Sequence, residues 1–295
     1  MQSADFLSAV FFYLKVGENL NQNWIVENLN NAFSTWNGKL GELWGLVTTS
    51  PQTFKGGAVW SVMQTLHNGM VGIGYALVVL FFAISLCKNT MNFHELKRPE
   101  AAIHYFLRFV AAKAFVGYGM DIMLNVFSIC NGIVTDMADS MGGISEAMVS
   151  LPAEMQTAIE NVGFLASIPL WLVTILGSLF ITVLSFVMIL TVYGRFFRLY
   201  MYTALAPLPL AAFAGESTQS VGISFLKSYV GVCLEGAVIV LACVIYSAFV
   251  GTPTVTGGEA TTIVWSYLAE TVFNMLVLVG LIKGSDRIIH EMMGL

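Results

Sequence analysis

The amino-acid sequence predicts an all-α membrane protein with about five transmembrane helices. Of its 295 residues, 57% are hydrophobic and only 11% are charged, whereas soluble domains carry about 25% charged residues. Several apolar runs approach the roughly 20 residues that a helix needs to cross a hydrocarbon core about 30 Å thick. Lysine and arginine are also concentrated in some connections and absent from others, as in multi-pass proteins.

Five apolar segments satisfy the length requirement for a membrane span. They cover residues 69–87, 109–131, 164–194, 228–250 and 262–282. The third segment has no charged residue between Glu160 and Arg195. At about 1.5 Å per residue it is longer than the core is thick, so we expect it to tilt.

A sixth apolar segment, residues 199–214, is too short to cross. Its sixteen residues would reach about 24 Å as a helix. Pro207 and Pro209 lack an amide hydrogen and would interrupt that helix midway. We therefore predict a re-entrant hairpin whose freed carbonyl groups are satisfied by protein or water, because lipid offers no donor.

The distribution of basic residues predicts the orientation of the chain in the membrane. Lysine and arginine occur in residues 88–108, 195–227 and 283–295, and the connections 132–163 and 251–261 contain neither. If 199–214 re-enters rather than crosses, all three basic segments face the cytoplasm, as short basic loops generally do. The prediction is an outside N-terminus, an outer loop at 132–163 and a cytoplasmic C-terminus.

Residues 1–68 are predicted to form an amphipathic helical region on the outer face. Apolar side chains recur there at steps of three or four, which places them on one helical face: Leu29, Phe33, Trp36, Leu40, Leu43 and Val47. Two interpretations stay open from the sequence. The helix either lies on the outer leaflet or docks on a partner, or it packs as a lid on the protein's own bundle.

Four ionisable side chains within the predicted spans are the candidate functional residues: Lys113, Asp121, Glu235 and Glu270. A charge at such depth costs on the order of 3 kcal/mol, so these side chains should face the bundle interior, water or each other. They have either a functional role or a purely structural one as interhelical contacts. Their depths predict that Lys113 pairs with Glu235, and they match Glu270 better to Asp121.

The sequence contains no signature of catalysis, of a cofactor or of a metal. It has neither a Walker A sequence nor H-E-x-x-H, and its G-x-G at Gly72–Gly74 lies inside a predicted span rather than after a strand. The four histidines and four cysteines lack metal-ligand spacing. A pI near 5.3 also argues against a nucleic-acid-binding domain, although it is compatible with transient contact with DNA in a channel.

Two stretches resemble a known family. They are Arg195-Phe-Phe-Arg-Leu-Tyr-Met-Tyr-Thr-Ala-Leu-Ala-Pro-Leu-Pro-Leu-Ala-Ala-Phe-Ala-Gly215 and Ser224-Phe-Leu-Lys-Ser-Tyr-Val-Gly-Val-Cys-Leu-Glu-Gly-Ala-Val-Ile-Val240. Both are similar to the polytopic inner-membrane subunit of type IV secretion systems, the TrbL family and its relatives. The loop Lys97-Arg-Pro-Glu100, followed by Arg108 and Lys113, resembles the versions in conjugative elements of Gram-positive bacteria. The likeness covers residues 88–282.

The resemblance implies a non-enzymatic channel or scaffold subunit that supports DNA and protein translocation in the cytoplasmic membrane. It implies a membrane-associated assembly ATPase and bitopic membrane proteins as partners, since the chain has no nucleotide site of its own. One copy exposes too few polar groups along its spans to line a pore wide enough for DNA. We therefore also expect a homo-oligomer, with lipid around it. Two alternatives stay open: an ion-coupled secondary transporter that uses the four ionisable residues, and a pure assembly scaffold.

Overall fold

A computed structural model describes residues 2–90, 99–140, 148–162, 164–249 and 260–295. These residues form helices and connections without any strand, which confirms the predicted all-α class. The helices are α1 Gln2–Thr48, α2 Ala58–Thr90, α3 Pro99–Gly117, α4 Gly119–Ser140, α5 Ala153–Glu160, α6 Phe164–Leu205, α7 Pro207–Ala211, α8 Gln219–Phe249 and α9 Ala260–Met293. Short 3₁₀ helices cover Phe54–Gly57 and Ala212–Ala214.

The described residues contain four helical segments that are long and apolar enough to cross a membrane, or five if a bent pair counts as one span. The four segments are Phe54–Lys88, Ser167–Leu205, Gln219–Phe249 and Thr262–Met293. This confirms a membrane protein with about five spans. Within the predicted connections 88–108, 132–163 and 251–261, the residues that lie outside the described part of the chain are 91–98, 141–147, 163 and 251–259.

The second predicted span, 109–131, is not one straight helix. Residues Ile103–Gly117 and Gly119–Ser140 meet at a bend of 73°. Glycine explains the break, because it allows close approach on both sides of Tyr118. A Cβ atom on Gly117 would lie 2.8 Å from the Tyr75 hydroxyl, and one on Gly119 would lie 3.2 Å from Leu210.

Helix boundaries also differ from the predicted regions. Helix α2 begins at Ala58, so the last residues of the predicted N-terminal region belong to the first membrane helix. Helix α4 continues to Ser140, and α5 lies within the predicted outer loop. Helix α6 continues through residues 195–205, which the sequence assigned to a connection and to the start of the hairpin.

The chain forms two compact units. Unit 1 comprises Met1–Trp44, Met141–Thr191 and Leu241–Lys283, and unit 2 comprises Gly45–Ser140, Val192–Val240 and Gly284–Leu295.

In unit 1, the apolar face of α1 is buried against the protein's own helices. Leu29, Trp36, Leu40 and Leu43 have no exposed surface. The Phe33 ring meets the Tyr267 ring of α9 edge-on at 6.4 Å. Of the two interpretations of this amphipathic helix, the one that agrees with unit 1 is packing on the protein's own helices.

Side chains of α1 and α9 form hydrogen bonds with the main chain of the segment that precedes α5. The Asn37 side chain donates to the Val149 carbonyl at 2.8 Å and accepts from the Val149 amide at 2.9 Å. The Tyr267 hydroxyl donates to the Ser150 carbonyl at 3.0 Å. These three bonds satisfy the backbone of a segment without secondary structure.

In unit 2, the chain around the two prolines forms the centre of the core. The buried cluster includes Leu199, Ala206, Leu210, Ala211 and Ala214, packed with residues from α2, α3, α4 and α8. Gly74 lets α2 approach this segment, because a Cβ atom there would lie 2.9 Å from the Pro207 carbonyl oxygen. The stretch that carries the family resemblance is therefore a packed core element.

Candidate functional site

Of the four ionisable residues predicted as candidates, only Glu235 is buried, with 1% of its surface exposed. Lys113, Asp121 and Glu270 are all exposed. Within the part of the chain that the structure describes, these three side chains form no ion pair. The structure therefore does not bring the four candidates together at one site, and the charged site of unit 2 is built around Glu235 instead.

Glu235 lies on α8 and forms a charge cluster with α6 and α9. The Arg198 guanidinium donates one nitrogen to both carboxylate oxygens of Glu235, at 2.8 and 2.9 Å. The Ser285 hydroxyl donates to Glu235 Oε1 at 3.2 Å. Arg198 also donates to Asp286, whose carboxylate lies 3.6 Å from His290 Nε2. The bonds link three helices of unit 2.

Arg195, one turn before Arg198 on α6, is buried to 1% exposure and contacts main-chain oxygens. Its guanidinium donates to the carbonyls of Val232 and Cys233 on α8, at 3.2 and 3.1 Å. It also donates to the Val47 carbonyl at the end of α1, at 3.2 Å. A planar guanidinium with five donors suits such a set of acceptors.

Gly236 leaves space for the Arg195 guanidinium beside the α8 backbone. A Cβ atom at residue 236 would lie 2.7–2.8 Å from three guanidinium atoms of Arg195. Any side chain there would displace the guanidinium from the α8 backbone. The pair Glu235-Gly236 therefore supplies both a counter-charge and the space in which a buried arginine can lie.

The predicted pairing of Lys113 with Glu235 is wrong. The Glu235 carboxylate is occupied by Arg198 and Ser285, and Lys113 lies on an exposed face of α3. Arg198 takes this position because α6 extends to Leu205, beyond the predicted end of the span at residue 194. The match between Asp121 and Glu270 joins residues of different units and stays a prediction.

Sequence reasoning missed Arg195, Arg198 and Asp286 as members of the site. One signal was available: Arg195 and Arg198 are three residues apart within an apolar stretch, so a continuing helix would place them on one face. Glu235-Gly236 is a second signal, since glycine beside a buried charge permits close backbone approach. Neither signal identifies which helices meet.

We call the set of Arg195, Arg198, Glu235 and Asp286 the electrostatic clamp, because its opposite charges hold α6, α8 and α9 together. Arg195 and Arg198 balance Glu235 and Asp286, so the formal charge of these four groups is zero. Removing Arg198 or Glu235 leaves one of the two buried members, Glu235 or Arg195, with less opposing charge. No group of metal-ligating side chains occurs in the described ranges.

The two prolines after α6 create a second feature of unit 2. Helix α6 ends at Leu205 and α7 begins at Pro207. In a continuous helix the Thr203 carbonyl would accept from the amide of residue 207, which proline lacks. His67 of α2, only 2% exposed, supplies the missing donor, with its Nδ1 2.7 Å from the Thr203 oxygen. Because a carbonyl oxygen only accepts, Nδ1 carries the hydrogen.

We expect His67→Leu to destabilise unit 2, because it leaves the Thr203 carbonyl buried without this donor, at a cost of about 1–3 kcal/mol. Pro207→Ala restores an amide at residue 207, so the double variant His67→Leu/Pro207→Ala should recover part of the loss. The measurement is the thermal midpoint of the detergent-solubilised protein. If the effects of His67→Leu and Pro207→Ala on the thermal midpoint simply add in the double variant, the histidine does not substitute for the missing amide.

Comparison with known proteins decides the family. The TrbL/VirB6 plasmid conjugal transfer-like family matches residues 36–207, which is more than half of the chain. The chain belongs to this family. No curated protein and no solved structure is significantly similar to it.

Membership of the TrbL/VirB6 family makes the protein a membrane subunit related to conjugal transfer and type IV secretion. The family is a structural component of secretion systems and is not known for enzymatic activity. It also implies association with other components of the conjugal transfer machinery. The matched residues include Arg195, Arg198 and His67. Glu235 lies beyond the matched range, on the helix that the sequence resemblance included.

Proposed function

We propose that the protein is a channel or scaffold subunit of a conjugative type IV secretion system and supports translocation of DNA and protein. The family match carries this proposal. Its membrane helices are consistent with a subunit of the translocation apparatus, and the sequence offers no nucleotide-binding motif through which the chain itself could supply energy. Energy would then come from a membrane-associated assembly ATPase, with bitopic subunits as further partners.

The orientation is part of the same proposal. The protein would lie in the cytoplasmic membrane with its N-terminus outside and its C-terminus in the cytoplasm. The cytoplasmic re-entrant element predicted at 199–214 would consist of the last residues of α6 and the turn at Pro207 and Pro209. The basic residues Arg198, Lys227, Lys283 and Arg287 then lie towards one side, as the positive-inside rule requires.

Several copies would assemble in the complex. Lys113 and Glu270 are exposed on α3 and α9, and Asp121 is exposed at the start of α4. A charge that is exposed at membrane depth is expensive in lipid. Contact with other copies, with partner subunits or with water would relieve this cost. The same three positions are the functional candidates predicted from the sequence, and we retain them in that role.

Reconstitution tests this proposal against a secondary transporter. We expect the purified protein, alone in vesicles with an imposed proton or sodium gradient, to accumulate no solute. A transporter usually shows broken helices in both halves at a midplane site. Accumulation driven by the gradient and lost in Glu270→Gln would contradict the secretion subunit and establish the transporter. Glu154→Gln, a change in α5, is the matched control.

A further inference from the structure

Helix α4 is amphipathic in a way that neither lipid nor the family assignment explains. One face is buried at every step of three or four residues, with exposures of 0–6%: Met123, Phe127, Cys130, Val134 and Ala138. Two apolar side chains on one flank of the helix are also exposed, Ile129 by 69% and Ile133 by 46%. The face opposite the buried one is polar and exposed: Asp121, Asn125, Ser128, Gly132, Asp136 and Asp139. A helix in lipid would show apolar residues outward, so this outward face contacts water or protein.

Because of the bend between α3 and α4, helix α4 extends only a short distance along the direction of α3. Residues 103–117 of α3 span about 22 Å, and the 22 residues of α4 span about 33 Å. At an angle of 73°, α4 advances only about 10 Å along the α3 axis. Helix α4 therefore runs largely across the direction of α3.

The exposed surfaces of the two helices suit different solvents. Helix α3 exposes Ile103, Phe106, Leu107 and Val110, each by 46–64%, which is a surface for lipid. Helix α4 exposes carboxylates, an amide and a hydroxyl on its polar face, with Ile129 and Ile133 on the flank beside it. If α3 crosses the lipid, α4 lies near the outer end of that crossing with its polar face in water, as amphipathic interfacial helices do.

The charge of this polar face is uniformly acidic. It carries three aspartates, and the sequence has neither lysine nor arginine from residue 114 to residue 194. Acidic linings favour cations, whereas surfaces that follow nucleic acid are basic. The face is also open, since no atom lies within 4 Å of a Cβ built on Gly132.

We propose that the polar face of α4 is the wall of an acidic, water-filled vestibule at the outer side of the membrane. Its acidic charge suits a hydrated polypeptide segment that carries lysine or arginine. That the face contacts water is independent of the function proposed above, whereas its location at the outer side rests on the orientation proposed there. Its role as a wall of the substrate path rests on that function.

Thiol labelling in intact cells tests the vestibule. The background is Cys87→Ser, because Cys87 is exposed and the other three cysteines are buried. We expect Gly132→Cys to react with both a cationic and an anionic methanethiosulfonate, and roughly threefold faster with the cationic reagent for each neighbouring carboxylate. The added change Asp136→Asn should reduce that preference. Val110→Cys and Ala138→Cys, on the lipid and buried faces, should react with neither reagent.

Failure of Gly132→Cys to react in both intact and permeabilised cells would overturn the aqueous face. Reaction only after permeabilisation would overturn its outer location, and a preference for the anionic reagent would overturn its acidity. The wall role has its own test. A bulky maleimide on Gly132→Cys should lower conjugal transfer without changing the amount of protein in the membrane. Normal transfer after complete modification would remove α4 from the substrate path and leave the family-level function untouched. Faster transfer in Asp136→Lys/Asp139→Lys would contradict the preference for basic polypeptide.

Discussion

Replacing Glu235 by glutamine is expected to lower the thermal midpoint of the detergent-solubilised protein by roughly 6–12 °C. The change keeps the shape of the side chain but removes the negative charge that faces Arg195 and leaves Arg198 with Asp286 as its acidic partner. Breaking a buried ion pair costs about 3 kcal/mol, taken at the low end because Arg198 is 28% exposed. For a chain of this size each kcal/mol shifts the midpoint by roughly 2–4 °C.

Changes at Arg198 test whether this loss of stability is electrostatic. Arg198→Met alone leaves Glu235 and Asp286 in excess, so it should also be unstable. The double variant Glu235→Gln/Arg198→Met restores neutrality among the remaining charges and should recover part of the midpoint. Glu270→Gln removes an exposed carboxylate and serves as the control. Equal midpoints for Glu235→Gln and Glu270→Gln would refute the clamp.

The second large effect is expected at Gly74, where α2 meets the segment after the proline break. A Cβ atom there would lie 2.9 Å from both the Pro207 carbonyl oxygen and Val116 Cγ1. Pro207 contributes backbone atoms, which cannot rotate away, so Gly74→Ala forces the two elements apart. Overpacking of this kind costs about 1–3 kcal/mol.

Gly72 provides a matched control on the same helix. No atom lies within 4 Å of a Cβ built there, and Gly→Ala in a helix is otherwise favourable by about 0.5–1 kcal/mol. We therefore expect Gly72→Ala to retain or raise the thermal midpoint and Gly74→Ala to lower it. Similar midpoints for the two variants would show that α2 does not pack on Pro207.

The sequence was sufficient for those features that depend on local pattern. Apolar length identified the membrane helices, and the three-to-four-residue spacing of Leu29, Phe33 and Trp36 identified the buried face of α1. The missing amides of Pro207 and Pro209 located a helix break, although the helix that ends there is α6 and not a separate hairpin helix beginning at residue 199. Each of these features follows from hydrophobic periodicity or from backbone chemistry within a few residues.

Contacts between helices were not available from the sequence in the same way. Lys113 and Glu235 have opposite charges and similar predicted depths, but depth does not fix which face of a helix meets which neighbour. The actual partner, Arg198, lay in a segment assigned to a connection because its charge was counted as a loop marker. The donor for the Thr203 carbonyl, His67, is 136 residues away in the chain. A bend at Gly117–Gly119 also escaped prediction, since glycine in an apolar helix equally indicates close packing.

Conjugal transfer by a strain that lacks this gene tests the central claim most directly. The account predicts that an in-frame deletion abolishes transfer of the element and that the wild-type gene, supplied in trans, restores it. Complementation by Gly72→Ala should match the wild type, and Gly74→Ala should restore less. Uptake and efflux of small solutes should be unchanged by the deletion. Undiminished transfer in the deletion strain would contradict the assignment of this protein to the secretion apparatus.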